Sequence, residues 1–253
     1  MQILTKDSTI TLYNEQFDEA YHCANDGALQ ETLHKHILPA LMLKKEKQKL
    51  KVLDMCFGLG FNTLCLRYVA RKFGFNGDIS VYSPEIDSAL LPQLLTHPYP
   101  KELESKGIIK ALQERQEYYE NGFTIHLCLG DAREILNGFL ESENGAFDMI
   151  FQDPFSPLKN PSLWTYEYFK TLYALSSQDV IITTYSHHSC MLYSAYLAGF
   201  YAFKLQQVVV RDSIILTKTP TLPSLELDNI TNITAINMTH KIKTNLKLKG
   251  LYD

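Results

Sequence analysis

Three acidic residues each stand just past a short apolar, β-rich run: Glu85, Asp131 and Asp153. A further such run ends in Val52-Leu53-Asp54-Met55-Cys56-Phe57-Gly58-Leu59-Gly60-Phe61-Asn62 and passes straight into a segment with helical spacing. Glycines at such a turn let the backbone approach a ligand and take conformations closed to other residues. An ionised carboxylate only accepts hydrogen bonds. Glu85 is therefore suited to two ribose hydroxyls and Asp131 to an adenine amino group. Asp153 can hydrogen-bond an incoming amine, aim its lone pair and accept a proton directly or through water. Each acid also has a plain structural reading. Asp131 before Ala132-Arg133-Glu134 can be a helix N-cap, and Asp153-Pro154 can simply start a turn.

The spacing separates two classes of adenosyl ligand. A dinucleotide fingerprint needs Gly-x-Gly-x-x-Gly so that a helix N-terminus can sit against pyrophosphate. Here Thr63 occupies the third glycine position. S-adenosyl-L-methionine has no phosphate, and the departure favours it as the cofactor. Methyl transfer from its sulfonium is an in-line displacement in which positioning supplies much of the acceleration. An aliphatic ammonium, with a pKa near that of lysine at about 10, must first lose a proton, so an acid at position 153 suits an amine acceptor.

These residues need a sheet to bring them together. Strand-like runs occur at 51–56, 78–83, 124–129, 147–152, 179–185, 202–210 and 213–217. Helical spacing fills 63–73, 89–96, 132–140 and 165–176. Alternation of this kind predicts a doubly wound, mostly parallel α/β sheet. The last two runs meet at Arg211-Asp212 without a helix between them, which predicts an antiparallel hairpin at the sheet edge. Seven strands with a terminal β-hairpin resemble the Rossmann-like class I methyltransferase fold. The expected organisation is an N-terminal cap over 1–45, the cofactor-binding domain over 46–220 and a C-terminal tail over 221–253.

Composition narrows the field further. The 253 residues are 45% hydrophobic and 21% charged, as in an ordinary globular protein. No apolar stretch approaches the roughly 20 residues needed to span a bilayer, and the start lacks a signal-peptide layout, so a cytoplasmic location is expected. Five scattered cysteines without a Cys-x-x-Cys pair suggest neither a disulfide framework nor a zinc site. His187-His188 lacks assignable companion ligands, and no metal is expected; His34 and His36 read as helix-surface residues. The net charge of -4 means that any nucleic-acid contact must be local. Lys44, Lys45, Lys47, Lys49 and Lys51 read as a solvated face at the amino edge of the sheet. Lys241, Lys243, Lys247 and Lys249 form either a phosphate-binding arm or a charged edge. Phe155, Trp164 and Tyr166 can stack on an extruded base or belong to the core.

The stretch 147–165 resembles the methyltransferase domain of the MnmC family, bifunctional tRNA enzymes that make 5-methylaminomethyl-2-thiouridine. The family loop reads Leu-Asp-Gly-Phe-x-Pro-x-Lys-Asn-Pro-x-x-Trp-Thr, and Asp153, Phe155, Pro157, Lys159, Asn160, Pro161, Trp164 and Thr165 match it. Further matches are Gln16-Phe17-Asp18-Glu19-Ala20-Tyr21, Asp26-Gly27, Glu31-Thr32, Gly58, Gly60, Asn62 and Ala198-Gly199-Phe200. The resemblance implies N-methylation of the aminomethyl group of a tRNA wobble uridine. Asp153 would stand at the acceptor, Asp26, Gly58, Gly60, Asn62, Glu85 and Asp131 around the cofactor, and Phe155, Lys159 and Trp164 near the substrate.

Departures are Cys56 for the family's first glycine, Gln152 and Pro154 for Leu and Gly, and Arg211 alone for a basic run. The fused oxidase domain of the bifunctional enzymes has no counterpart in this sequence, so the aminomethyl precursor would need another source. An aminopropyltransferase of the spermidine-synthase kind and a non-catalytic RNA- or nucleotide-binding domain are the competing readings.

Overall fold

A computed structural model describes residues 1–253. The chain begins with a small antiparallel sheet of β1 (Gln2–Leu4), β2 (Ile10–Asn14) and β3 (Glu19–Ala20). A continuous helical run follows. It is α-helical in α1 (Ala28–Glu31), π-helical over Thr32–Ile37 and α-helical again in α2 (Leu38–Lys44). The doubly wound part then comprises β4 (Lys49–Met55), α3 (Phe61–Lys72), β5 (Asp78–Glu85), α4 (Leu90–Leu94), α5 (Ser105–Arg115), β6 (Glu117–Glu120), β7 (Phe123–Leu129), α6 (Ala132–Ser142), β8 (Phe147–Gln152), α7 (Tyr166–Leu175), β9 (Ser176–Thr184) and α8 (Ser189–Leu197). β10 (Tyr201–Gln207), β11 (Ser213–Thr217), β12 (Ile230–Ala235) and α9 (Met238–Thr244) complete it.

The main sheet runs β12-β10-β11-β9-β8-β4-β5-β7-β6. β9, β8, β4, β5 and β7 are parallel, while β11, β10, β12 and β6 join antiparallel. All seven runs read from the sequence lie in it, contiguous and with the β10–β11 hairpin, so the α/β class I methyltransferase architecture is present. The sheet has nine strands rather than seven. The two extra ones, Glu-Tyr-Tyr-Glu of β6 and Ile-Thr-Asn-Ile-Thr-Ala of β12, are half-exposed edge strands without the apolar run of a central strand.

Side chains alternate between two cores. Val52, Val81, Met149, Ile181 and Ile215 point to one face, packed by the helical run 28–44 and by α3, α4 and α5. Leu53, Ile150, Ile182 and Leu216 point to the other, packed by α6, α7 and α8. β8 is buried along its whole length because parallel neighbours and both helical layers cover it. α7 is N-capped by Thr165, whose hydroxyl accepts the Tyr168 N–H at 3.2 Å, and buries Tyr168, Phe169, Leu172 and Leu175. Each such side chain contributes about 1.5–3 kcal/mol of burial. Residues 1–45 share the first core through Ile37, Ala40 and Leu41, and 221–253 add β12 and the buried Met238. No helix is long and apolar enough to cross a membrane.

Candidate active site

Chain order reverses between β4 and β8, and the carboxyl ends of the parallel strands open there into a crevice. The crevice forms a cavity of about 520 Å³. Gly58, Glu85, Asp131, Asp153 and Phe155 all line it. β1–β3 and the residues leading into α1 roof it with Tyr21, His22 and Cys23.

The turn after β4 is set by backbone geometry. Cys56, Gly58 and Gly60 take φ of 67°, 53° and 74°, all left-handed. Cys56 thus holds, as a strained non-glycine residue, the conformation that explains the family's glycine there. At Gly58 a Cβ would lie 3.1 Å from the Tyr21 ring that roofs the cavity, and at Gly60 it would run into Phe57 at 2.6 Å. Gly60 therefore shapes the turn and caps α3 without facing the cavity. Thr63, in the place of a third glycine, donates to Asp54 Oδ2 at 2.6 Å.

Glu85 Oε2 accepts the Gly58 N–H at 2.7 Å and Oε1 accepts the Asp87 N–H at 2.8 Å. Burial raises its carboxyl pKa, although both amides favour the ion. Asp131 is the N-cap of α6: Oδ1 accepts the Arg133 and Glu134 N–H groups at 2.9 and 3.2 Å. It also faces the cavity, and Oδ2 makes no hydrogen bond within the protein, so the cap and the ligand contact are compatible.

Asp153 closes β8. Its Oδ2 accepts from Asn62 Nδ2 at 2.9 Å, which places Asn62 behind the acid rather than on the cavity wall. Oδ1 lies 3.4 Å from His36 Nε2, a nitrogen with no hydrogen-bond partner. Burial pushes the Asp153 carboxyl up, but the nearby His36 and His22 rings and the Asn62 amide outweigh it and hold the carboxyl below its ordinary value. Behind it, burial pushes Asp54 up to about 7 despite the Thr63 hydrogen bond.

The expected helix-surface position of His36 is corrected. It is fully buried in the π-helical turn, with Nδ1 3.0 Å from Thr183 Oγ1 on β9. π turns widen a helix locally and often occur at functional sites. A signal existed in the sequence: Ala28, Thr32, His36 and Ala40 recur every four residues and are all fully buried. His22, the other histidine near Asp153, lies in the roof, where no periodicity marks it.

The remaining expectations divide. Phe155 lines the cavity, stacked on Phe17 at 4.7 Å and against Tyr21 at 5.1 Å. Trp164 is fully buried and cannot stack on a base; its indole N–H donates to the Phe155 carbonyl at 2.9 Å and holds the loop. Lys159 does not reach the cavity and pairs with Asp18 at 2.6 Å, tying the loop after β8 to the roof. Tyr166 packs on Tyr252 instead. Asp26 lies behind the wall between Lys35 at 2.7 Å and Arg211 at 3.0 Å. The Gln152 departure is matched locally, since its amide donates to the Leu163 carbonyl at 2.8 Å and accepts from the Tyr168 hydroxyl at 2.6 Å. The solvated lysine face is borne out only in part: Lys45 and Lys49 are exposed, whereas Lys44 pairs with Asp179, Lys47 with Asp148 and Asp179, and Lys51 with Glu143. His187 Nε2 sits 2.7 Å from the Asp212 carbonyl.

A family described as S-adenosyl-L-methionine-dependent methyltransferase matches residues 97–218. The tRNA 5-methylaminomethyl-2-thiouridine biosynthesis bifunctional protein MnmC of Pseudoalteromonas atlantica is 25% identical over 187 residues, 67% of this chain and 26% of that protein. The chain is an MnmC-like, S-adenosyl-L-methionine-dependent methyltransferase. An uncharacterized protein of Methanocaldococcus jannaschii is 28% identical over 185 residues, 72% of this chain and 49% of its own length. The chain thus spans about half of one such relative and about a quarter of the other. MnmC2 from Aquifex aeolicus superposes with a TM-score of 0.78 at 24% identity, covering 100% of this chain and 78% of that one, and shares the MnmC-like methyltransferase fold. The residues at the crevice fit S-adenosyl-L-methionine: the glycine turn leaves room against Tyr21, and Glu85 and Asp131 offer acceptors to hydroxyl and amino donors. When bound, this cofactor supplies an electrophilic methyl group on a sulfonium.

Proposed function

We propose that this MnmC-like methyltransferase N-methylates the aminomethyl group of 5-aminomethyl-2-thiouridine at the tRNA wobble position, in the cytoplasm. The observation that carries the reading is Asp153: a carboxylate at the tip of β8, on the cavity wall that also holds Gly58, Glu85 and Asp131. Gly58, Glu85 and Asp131 are assigned to the donor, with Gly60 and Asn62 as positioning residues behind them. The acid at the acceptor end matches the chemistry of an amine. Asp153 accepts a hydrogen bond from the amine, keeps the lone pair directed along the line of displacement and takes the proton that the nitrogen must lose. Asn62 on one carboxylate oxygen and His36 beside the other restrict its rotation. Phe155 offers a ring face to the base, while Trp164 and Lys159 fix the loop that presents it. The acceptor's identity rests on the names of the MnmC relatives and on the loop 153–165.

Nucleoside mass spectrometry of tRNA from a strain lacking this protein tests the reading. Aminomethyl-uridine should accumulate and be converted to methylaminomethyl-uridine on return of the wild type, but not of Asp153→Ala. Unchanged nucleosides would remove tRNA as the acceptor.

A further inference from the structure

Charge around the cavity is one-sided. Glu19, Glu31, Glu85, Asp87, Asp131 and Asp153 line it, and the only lysine or arginine on its wall is Arg211. Arg211 belongs to the connection between β10 and β11, and its side chain is 66% exposed. It is nevertheless held in place. Its backbone N–H and its Nε both donate to Asp26, at 3.3 and 3.0 Å, and Asp26 is itself buried and tied to Lys35. The two terminal guanidinium nitrogens make no hydrogen bond within the protein. An arginine anchored through Nε with its terminal fork unengaged is a bidentate receptor for a planar anion.

Of the groups that the cofactor brings into this cavity, the sulfonium and the α-ammonium are cationic and suit the carboxylates. The α-carboxylate alone needs a cation. We infer that Arg211 binds the α-carboxylate of the methionyl moiety of S-adenosyl-L-methionine, with Asp26 as the residue that positions the guanidinium. Arg211 thereby selects the carboxylated donor against its decarboxylated counterpart, the donor of aminopropyl transfer. A donor lacking the carboxylate leaves the fork without its anion, and a site built around a charged pair discriminates against the analogue that lacks one partner. The assignment also accounts for Asp26, which has no route to the cofactor except through Arg211. It rests on the donor and not on any RNA acceptor.

Titration calorimetry on the full chain, with S-adenosyl-L-methionine and decarboxylated S-adenosylmethionine as ligands, tests this directly. Arg211→Met should weaken the carboxylated donor on the order of tenfold to a hundredfold and leave the decarboxylated one within about twofold. Asp26→Asn should give a smaller loss with the same selectivity, and Arg211→Lys a partial recovery, because a point charge replaces a fork. Retained binding of the decarboxylated donor shows that each variant is folded. Equal losses for both ligands, or an unchanged affinity for S-adenosyl-L-methionine, would overturn the inference. So would a variant whose only defect is weaker binding of tRNA, since the guanidinium would then be a phosphate contact.

Discussion

The two ends of β8 carry an aspartate each, and their surroundings differ. At the amino end, Asp148 accepts from Lys47 Nζ at 2.6 Å and from the Lys51 N–H at 3.1 Å. Lys44 and Lys47 reach Asp179 beside it at 2.9 and 3.1 Å. At the carboxyl end, Asp153 has Asn62 on one oxygen and His36 near the other, with no lysine or arginine paired to it. Around it, Asp54 Oδ1, Asn62 Oδ1 and His36 Nε2 are buried without partners. Native proteins rarely leave such atoms unmatched, because each costs about 1–3 kcal/mol. One end of the strand uses lysine pairs to close the fold, and the other leaves Asp153 on the cavity wall with no lysine or arginine to neutralise it.

Substitutions at the two ends should therefore separate activity from stability. The largest effect is expected for Asp153→Asn, which removes the proposed proton acceptor but keeps the shape. Its methyl-transfer rate should fall by about 10²–10⁴-fold, with donor affinity nearly unchanged, in single-turnover assays with labelled methyl groups. Asp148→Asn in the same assay should leave the rate intact. If both variants lose rate equally, the contrast between the two ends fails. Glu85→Gln should weaken donor binding by about 10- to 100-fold, read by calorimetry, since the amide offers one acceptor oxygen instead of two.

On stability, the larger effect is a pH dependence at Asp54. Its folded-state pKa, about 7, lies above the ordinary carboxylate value, so the folded protein holds a proton that the unfolded chain has lost. Stability contributed by this group is present at low pH and declines as the pH rises through the interval up to about 7. Asp54→Asn should therefore be more stable than wild type at pH 8, by roughly 4 kcal/mol, and close to it at pH 4, in urea melts. The smallest effect belongs to the amino edge. Burial raises the Asp179 carboxyl, but Lys44 and Lys47 outweigh it and hold the value below the usual range. Its stabilising contribution is full above the unfolded value near 4 and is lost progressively as the pH falls from there through the lower folded-state value. Because the side chain is more than half exposed, Asp179→Asn should cost only about 1 kcal/mol at pH 7 and progressively less as the pH falls below about 4.

What was legible in the sequence follows the same division. The parallel strands were readable because their buried positions give short apolar, β-rich runs separated by helical spacing, and the hairpin because no helix fits between 202–210 and 213–217. β6 and β12 were not, since an edge strand wets one side and its pattern merges with that of a loop. Among site residues, those at strand tips follow from topology: Gly58, Glu85, Asp131 and Asp153 meet on one wall. Asp26, Lys159 and Trp164 share motif positions with the family yet face Arg211, Asp18 and the loop backbone. Local spacing marks a residue as constrained but does not say which way its side chain points. The four-residue spacing marked His36 as buried, but its place beside Asp153 stayed hidden, because that depends on a π turn and on packing against β9, 147 residues away.

The donor site proposed at the strand tips, aimed at Asp153, is open to direct observation. A crystal structure of the protein soaked with S-adenosyl-L-homocysteine, the product left after methyl loss, tests it most directly. Ribose hydroxyls are expected on Glu85, the adenine amino group on Asp131 and the sulfur facing the Asp153 carboxylate across the gap a methyl group and an amine would fill. A nucleoside bound outside this crevice, or one whose sulfur points away from Asp153, would contradict it.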